Sequence, residues 1–193
     1  MGQYFARIIR AVIVSVLGFG GGIGLLTFIA ILVLSGQQKA LEIGWHAALV
    51  TGFGFGTFLA AVFLLTDLTA RLSVARGHHE EIWDLEQIRE FDFDGTGREL
   101  RHLCREALLS VPNVNTVHDD NEFMMTASIG ASWKSPGEKM QITICPLPED
   151  KWHVKCVSRC LATHVAFDYA KNFENVETWL RTFRRLEDEV KVG

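Results

Sequence analysis

The stretch FDFDGTGRE, residues 91–99, carries two aspartates one residue apart followed by Gly-Thr-Gly. Carboxylates at this spacing ligate calcium in a loop or carry a phosphoryl group. A calcium loop starting at Asp92 would need a bidentate Glu at its twelfth position, and that position is Leu103. The ninth is Leu100. Two other groups have the residue types of metal sites. His78, Glu81 and Asp84 fall about one helical turn apart, and Cys156-x3-Cys160-x3-His164 has a zinc-like spacing. A structural zinc site wants four ligands, so a fourth would have to come from Cys104, Cys145 or a distant His. One His among carboxylates reads better as a solvated face. Cysteines on apolar faces read better as small hydrophobes. No cofactor or metal is assigned, and no Cys sits in the electropositive, exposed setting that a nucleophilic thiol needs.

Asp92-x-Asp94-Gly95-Thr96 also resembles the first motif of haloacid-dehalogenase-like phosphatases. The resemblance implies a nucleophilic Asp92 at the end of a buried parallel strand. Here the preceding residues, LEQIRE, are polar and helical in pattern, and no repeated strand–helix units follow. A helix start fits every residue instead. Thr96-x-x-Glu99 is a capping box, with Asp92 and Asp94 placed near the positive end of the helix dipole. Leu100, Leu103, Cys104, Ala107, Leu108 and Val111 then recur as one apolar face, and Pro112 ends it.

The chain that must position these residues has 193 of them and a net charge of −4, which speaks against a nucleic-acid partner. Two runs without charged side chains dominate its N-terminal third, about 11–34 and 44–66. Each is long enough to cross a bilayer core of ~30 Å as a helix. The first run is too long for a signal peptide and lacks a small-residue cleavage site before the second. The short link SGQQKALEI, residues 35–43, predicts an antiparallel hairpin. Arg7 and Arg10 precede the first span, and Arg71 and Arg76 follow the second. Basic residues stay on the cytoplasmic side, so both termini are expected in the cytoplasm of a bacterial inner-membrane protein. The four cysteines are then expected as reduced thiols.

Glycines mark the spans. Gly18 and Gly22, Gly20 and Gly24, and Gly52 and Gly56 are each four apart. Small residues so spaced let helices approach closely in lipid. The two pairs of the first helix lie on different faces, since two residues turn a helix by about 200°. One pair is expected against the second helix near Gly52 and Gly56, and the other against a neighbouring chain in a homo-oligomer. No Asp, Glu, Lys or Arg lies within either run, which disfavours an ion or proton path.

Residues 67–91 are expected as a juxtamembrane helical linker, with Leu68, Leu72, Ile82, Leu85 and Ile88 at helical spacing. Residues 92–193 are expected as a cytoplasmic α+β domain. After the first helix the period changes to two: Phe123, Met125, Ala127, Ile129, Ala131 and Trp133 in one strand, Met140, Ile142 and Ile144 in the next, and Trp152, Val154 and Cys156 in a third. Val114–His118 and Leu161–Phe167 are candidate additions. A last helix presents Phe173, Val176, Leu180, Phe183, Leu186 and Val190. The fold class is therefore a membrane α-helical hairpin plus a two-layer α+β domain. Its antiparallel sheet of three to five strands is flanked by an N-terminal and a C-terminal helix, with one polar, partly basic sheet face left free.

The tail, Ser158-Arg159, then Asp168-Tyr169-Ala170-Lys171-Asn172 and Asn175-Val176-Glu177, resembles the end of small uncharacterised bacterial membrane-associated domains. Those close with S-R … D-Y-G-K-N-x-x-N-V-E, and Ala170 stands where they have glycine. The resemblance implies no activity. Two arginine groups, Arg98, Arg101 and Arg105, and Arg181, Arg184 and Arg185, are candidate contacts for anionic lipid headgroups of the membrane or for an acidic partner. The expected function is non-enzymatic: a homo-oligomeric scaffold, or an accessory subunit of a membrane complex. The competing expectation is a signal- or ligand-gated effector with the α+β domain as its sensor.

Overall fold

The structure, a computed structural model, describes residues 2–74, 84–149, 151–162 and 168–192. It divides into two compact units, Met1–Thr69 and Ala70–Gly193.

The first unit is helical. Helix α1 (Gly2–Val14) passes through a π-helical stretch, Ser15–Gly20, into α2 (Gly21–Ser35). The dihedrals at both joints are right-handed helical, so the three pieces run on as one helix. Gly36 reverses the chain at φ 85°, donating its N–H to the Leu32 carbonyl at 3.1 Å. Glycine enters this left-handed region without steric cost. Helix α3 (Gln37–Lys39), a second π-helical stretch (Ala40–Gly44) and α4 (Trp45–Val74) follow directly. The expected link over 35–43 is thus reduced to Gly36, because Gln37–Gly44 is helical. Two helices are long and apolar enough to cross a membrane, Ile8–Ser35 and Gln37–Leu72. The second extends past the expected 44–66 at both ends and takes in Lys39, Glu42, Asp67 and Arg71. Only 11% and 17% of their most apolar windows are buried within the protein.

The second unit is an open five-stranded antiparallel sheet with two helices, entered through the last turn of α4. Its strands are β1 (Gln87–Asp94), β2 (Val114–Asn121), β3 (Met124–Ile129), β4 (Glu138–Leu147) and β5 (Lys151–Cys160), in the order β1-β5-β4-β3-β2. Helix α5 (Gly97–Leu109) presents the expected face, with Leu100, Leu103, Cys104, Ala107 and Leu108 buried. Helix α6 (Lys171–Val192) packs beside it. The core joins these helices to Met125, Ala127, Ile129, Met140, Ile142, Ile144, Val154 and Cys156 of the sheet.

Three expectations are corrected. Gln87–Glu90 belongs to β1 and not to a helical linker, so this sheet begins before residue 92. The register pairs Phe91 with Val154 and Phe93 with Trp152. Both phenylalanines turn to the core side and both aspartates to the outer side, as the period of a strand requires. The apolar stripe of β3 stops at Ile129, and Trp133 follows in a turn, exposed. On α6 the wholly buried aromatics are Trp179 and Phe183, whereas Val190 is exposed. Trp179 lies 5.6 Å from Phe183 and 6.0 Å from Phe91, and Phe183 lies 4.9 Å from Phe91. Strand β2 forms one edge of the sheet. Its pairing with β3 shifts register between Val114 and Thr116 and again between Asp119 and Asn121. Most of Leu161–Phe167 lies outside the described residues.

Candidate functional site

The opening motif ends a strand and caps a helix. Thr96 caps α5, its hydroxyl accepting from the Glu99 N–H at 3.2 Å. Asp92 and Asp94 do not occupy the helix start. They end β1 and reach across to β5, where His153 Nδ1 meets Asp92 at 2.8 Å and Lys151 meets Asp94 at 3.9 Å. The two glycines serve Trp152. Its indole N–H donates to the Gly95 carbonyl at 3.0 Å, and a Cβ on Gly97 would stand 2.7 Å from the same ring. A phosphoryl-transfer aspartate would need a buried parallel strand, and β1 is antiparallel to β5.

The tail residues converge on a buried polar centre between β4, β5 and the start of α6. Ser158 on β5 donates to Asn172 Oδ1 at 2.7 Å. Asn172 donates its side-chain amide to Asp168 Oδ2 at 3.0 Å and to the Cys160 sulfur at 3.2 Å. The Asn172 backbone N–H also donates to Asp168 Oδ2, at 3.3 Å. Asp168 thereby satisfies a donor that the opening of a helix otherwise leaves orphaned. The other Asp168 oxygen accepts from Arg71 Nη2 at 2.9 Å, and both side chains are buried. Glu177, the last residue of the tail pattern, binds Arg89 on β1 at 2.7–2.8 Å. The segment enters α6 through Tyr169 at φ 45° and Ala170 at φ 59°. Left-handed backbone is where glycine is tolerated best, and Ala170 adopts it here.

One turn on, Asn175 of α6 donates to Glu138 Oε2 of β4 at 3.4 Å. Spacing along the chain does not single out Glu138. Glu138 Oε1 and Asn175 Oδ1 are buried without a partner. Burial pushes the Glu138 carboxyl above its ordinary value, against the opposing pull of Ser135, Asn175 and Lys171 and with a smaller push from Asp168. Burial thus favours the protonated form of this acid. Burial raises the Cys160 thiol first and Asp168 adds to that, whereas reactive thiols need a depressed value. Cys104 and Cys156 are core residues whose thiols burial also raises.

Among the described residues no three His, Cys, Asp or Glu side chains group as a metal site. His78, Glu81 and His164 lie outside the described residues. Asp84 is exposed.

Four of the six singled-out arginines have partners within the second unit. Arg101 donates to the carbonyls of Asn121, at 2.9 Å, and Glu122, and pairs with Asp119 at 3.4 Å. Arg105 meets Asp119 at 2.6 Å. Arg184 pairs with Glu187 at 3.0 Å and lies over the Phe91 ring at 4.5 Å. Arg185 reaches Glu189 at 3.9 Å. Arg98 and Arg181 are exposed. On the uncovered sheet face Lys155 pairs with Glu90 at 2.7 Å. Each holds the other charged: the hydrogen bond lowers the Glu90 value and raises that of Lys155.

In the first unit the glycines divide into two sets. A Cβ on Gly20 would collide with the Gly52 carbonyl, and one on Gly24 would stand 2.7 Å from the Ala48 carbonyl. A Cβ on Gly52 would stand 2.5 Å from the Gly20 carbonyl, and one on Gly56 2.6 Å from Val16 Cα. These four let the hairpin close backbone against backbone. Thr51 adds a bond across it, donating to Thr27 at 3.1 Å. Gly18 and Gly22 have nothing within 4 Å of a Cβ. Of the two assignments the spacing allowed, Gly20 and Gly24 are therefore the pair inside the hairpin. A groove of about 450 Å³ runs beside it, floored by Gly20, Gly21, Gly24 and Gly52 and flanked by Phe28 and Trp45.

Comparison with known proteins adds little to this geometry. The chain matches no family model and no curated protein. Among solved structures it is similar to the crystal structure of the di-domain ARO/CYC StfQ from the steffimycin biosynthetic pathway, at 12% identity and a TM-score of 0.33. The similarity covers 82% of this chain and 63% of that one. The chain thus spans less than two thirds of that protein, and a TM-score this low bears on neither fold nor activity.

Proposed function

We propose that this protein is a non-enzymatic bacterial inner-membrane protein with both termini in the cytoplasm. Its helical hairpin assembles as a homo-oligomer, and its α+β domain serves as the interaction module of a scaffold or accessory subunit. The observation that carries this reading is the division of the glycines. Gly20, Gly24, Gly52 and Gly56 are used up in closing one chain's hairpin, whereas Gly18 and Gly22 have open space around them. Glycine in a helix interior costs ~1 kcal/mol relative to Ala. A second close-packed neighbour in lipid offsets that cost, and the open face at Gly18 and Gly22 provides the place for it. The low burial of both apolar helices supports the membrane setting.

Native mass measurement of the detergent-purified chain tests the reading. Gly18→Leu and Gly22→Leu should lower the assembly number and leave membrane insertion unchanged. A wild-type monomer, or an assembly that neither substitution alters, would remove the support for a scaffold.

A gated effector is the second reading. It is favoured by the π-helical stretches Ser15–Gly20 and Ala40–Gly44 within the apolar helices, since such stretches often mark functional sites. Conductance across planar bilayers containing the purified chain would select this reading over the first.

A further inference from the structure

On the sheet face away from the helices the acids stand on β1, and β5 answers them across the ladder. Lys155 meets Glu90 at 2.7 Å, His153 meets Asp92 at 2.8 Å and Lys151 meets Asp94 at 3.9 Å. Two cations of this face are left over. Lys139 of β4 and Arg159 of β5 stand directly opposite each other in the register. Their chain neighbours Met140 and Ser158 are wholly buried on the core side, so Lys139 and Arg159 turn outward, as the period of a strand requires. Among the described residues neither has an ion-pair or side-chain hydrogen-bond partner. Glu86, just before β1, is exposed and bridges neither of them. Like charges directly opposite on neighbouring strands repel and cost the sheet stability.

The row continues toward the far edge of the sheet. Lys139 faces Ser128 of β3, and Ser128 faces Thr116 of β2. Four strands, ~4.8 Å apart, thus present Thr116, Ser128, Lys139 and Arg159 in one line on one face. Neither hydroxyl has a hydrogen-bond partner among the described residues. Arg159 is exposed and Lys139 half-buried. Arg159 is also the residue of the tail that the buried polar centre leaves unused. Ser158, Asp168, Asn172, Asn175 and Glu177 all bind other side chains of the second unit, whereas Arg159 lies on the opposite side of the sheet. The row offers two positive charges and two hydroxyl donors. A carboxylate or a phosphodiester brings one negative charge and would leave one cation uncompensated. A phosphomonoester brings a charge of about −1.5 to −2 at pH 7 and three acceptor oxygens. The planar fork of an arginine suits two of those oxygens, and a lysine ammonium answers the remaining charge.

We propose that Lys139 and Arg159, with Ser128 and Thr116, form a binding site for the phosphomonoester group of a soluble ligand. The site lies wholly in the second unit and does not depend on the setting of the apolar helices. The full chain in maltoside micelles, at moderate ionic strength, is titrated with methyl phosphate, and broadening of the phosphorus NMR line reports binding. Dimethyl phosphate, which carries a single charge, is the comparison and should bind much more weakly. Arg159→Gln and Lys139→Gln should each weaken methyl phosphate binding about tenfold, the worth of a hydrogen bond to a charged group. Arg159→Lys should weaken it less. Arg181→Gln, at an exposed arginine of α6, should leave binding unchanged. Without ligand, Arg159→Gln and Lys139→Gln should keep or raise the melting temperature, because each removes a like-charge repulsion. Methyl phosphate should raise the melting temperature of the wild type and not of these two variants. No broadening with the wild type, equal binding of the two esters, or an equal loss in Arg181→Gln overturns the site. A melting temperature lowered by Arg159→Gln or Lys139→Gln without ligand also overturns it, since the pair would then be held by the chain itself.

Discussion

Asn175 on α6 donates its amide to Glu138 on β4 at 3.4 Å, and each partner keeps one buried oxygen with nothing to bind. Burial raises the Glu138 carboxyl, favouring its protonated form. The consequence for stability has a definite sign. Between the ordinary 4.5 and the raised folded value, the native chain keeps a proton that the unfolded chain has released. Stability from this group is full below 4.5 and falls as pH rises toward the raised value. Glu138→Gln replaces the acid with an amide that can both donate and accept, so this fall should vanish from the difference between variant and wild-type melting curves. A larger loss in the variant as pH rises would show that Glu138 is ionised.

Asp168 and Arg71 form a buried ion pair. Removing one partner of such a pair costs about 3–5 kcal/mol, because the other charge stays buried. Asp168→Ala should therefore destabilise strongly. It should cost less in a chain already carrying Arg71→Met, with a coupling of about 1 kcal/mol or more. Denaturation of the four members of this cycle measures it. Additive effects would mean that Arg71 owes its place to other neighbours.

Thr96→Ala removes the acceptor for the Glu99 N–H and should cost ~1 kcal/mol. Asp92→Asn, on an exposed cross-strand pair, should stay within ~0.5 kcal/mol and leave any function intact. If the Asp92 variant folds but loses function, the rejection of chemistry at this motif is wrong.

Trp179 is wholly buried and donates its indole N–H to the Cys104 carbonyl at 3.4 Å, joining α6 to α5. Truncation to Ala should cost about 3–5 kcal/mol, read as a lowered melting temperature of the full chain. Trp133→Ala, at an exposed turn, should leave that temperature nearly unchanged in detergent.

The apolar face of α5, the alternation in β4 and β5 and the two apolar helices all follow from spacing alone. Residues 87–94 do not, and the cause is plain. Phe91-Asp92-Phe93-Asp94 alternates apolar and charged residues, the period of a strand, but the polar residues before it and the cap after it both carry helix signals. Trp179 escapes a spacing argument because Val176, Leu180 and Phe183 already satisfy a helical period that it also fits. The polar centre is visible in the sequence only as a tail pattern. Its residues come from β4, β5, α4 and α6, and no spacing along the chain shows that Glu138 meets Asn175 or that Asp168 meets Arg71.

Strand β2 carries two register shifts, and His118, Asp119, Asp120 and Asn121 line its far end. An outermost strand is ordinarily a template on which another chain can lay its own backbone. Bulges break the spacing of the exposed N–H and C=O groups, and like charges repel an identical strand laid alongside. If copies assemble in a membrane as proposed, their sheets would meet at high local concentration, where strand-to-strand pairing leads to aggregation. In the proposed assembly the irregular border of β2 would keep the sheets of neighbouring copies from pairing while the helices pack.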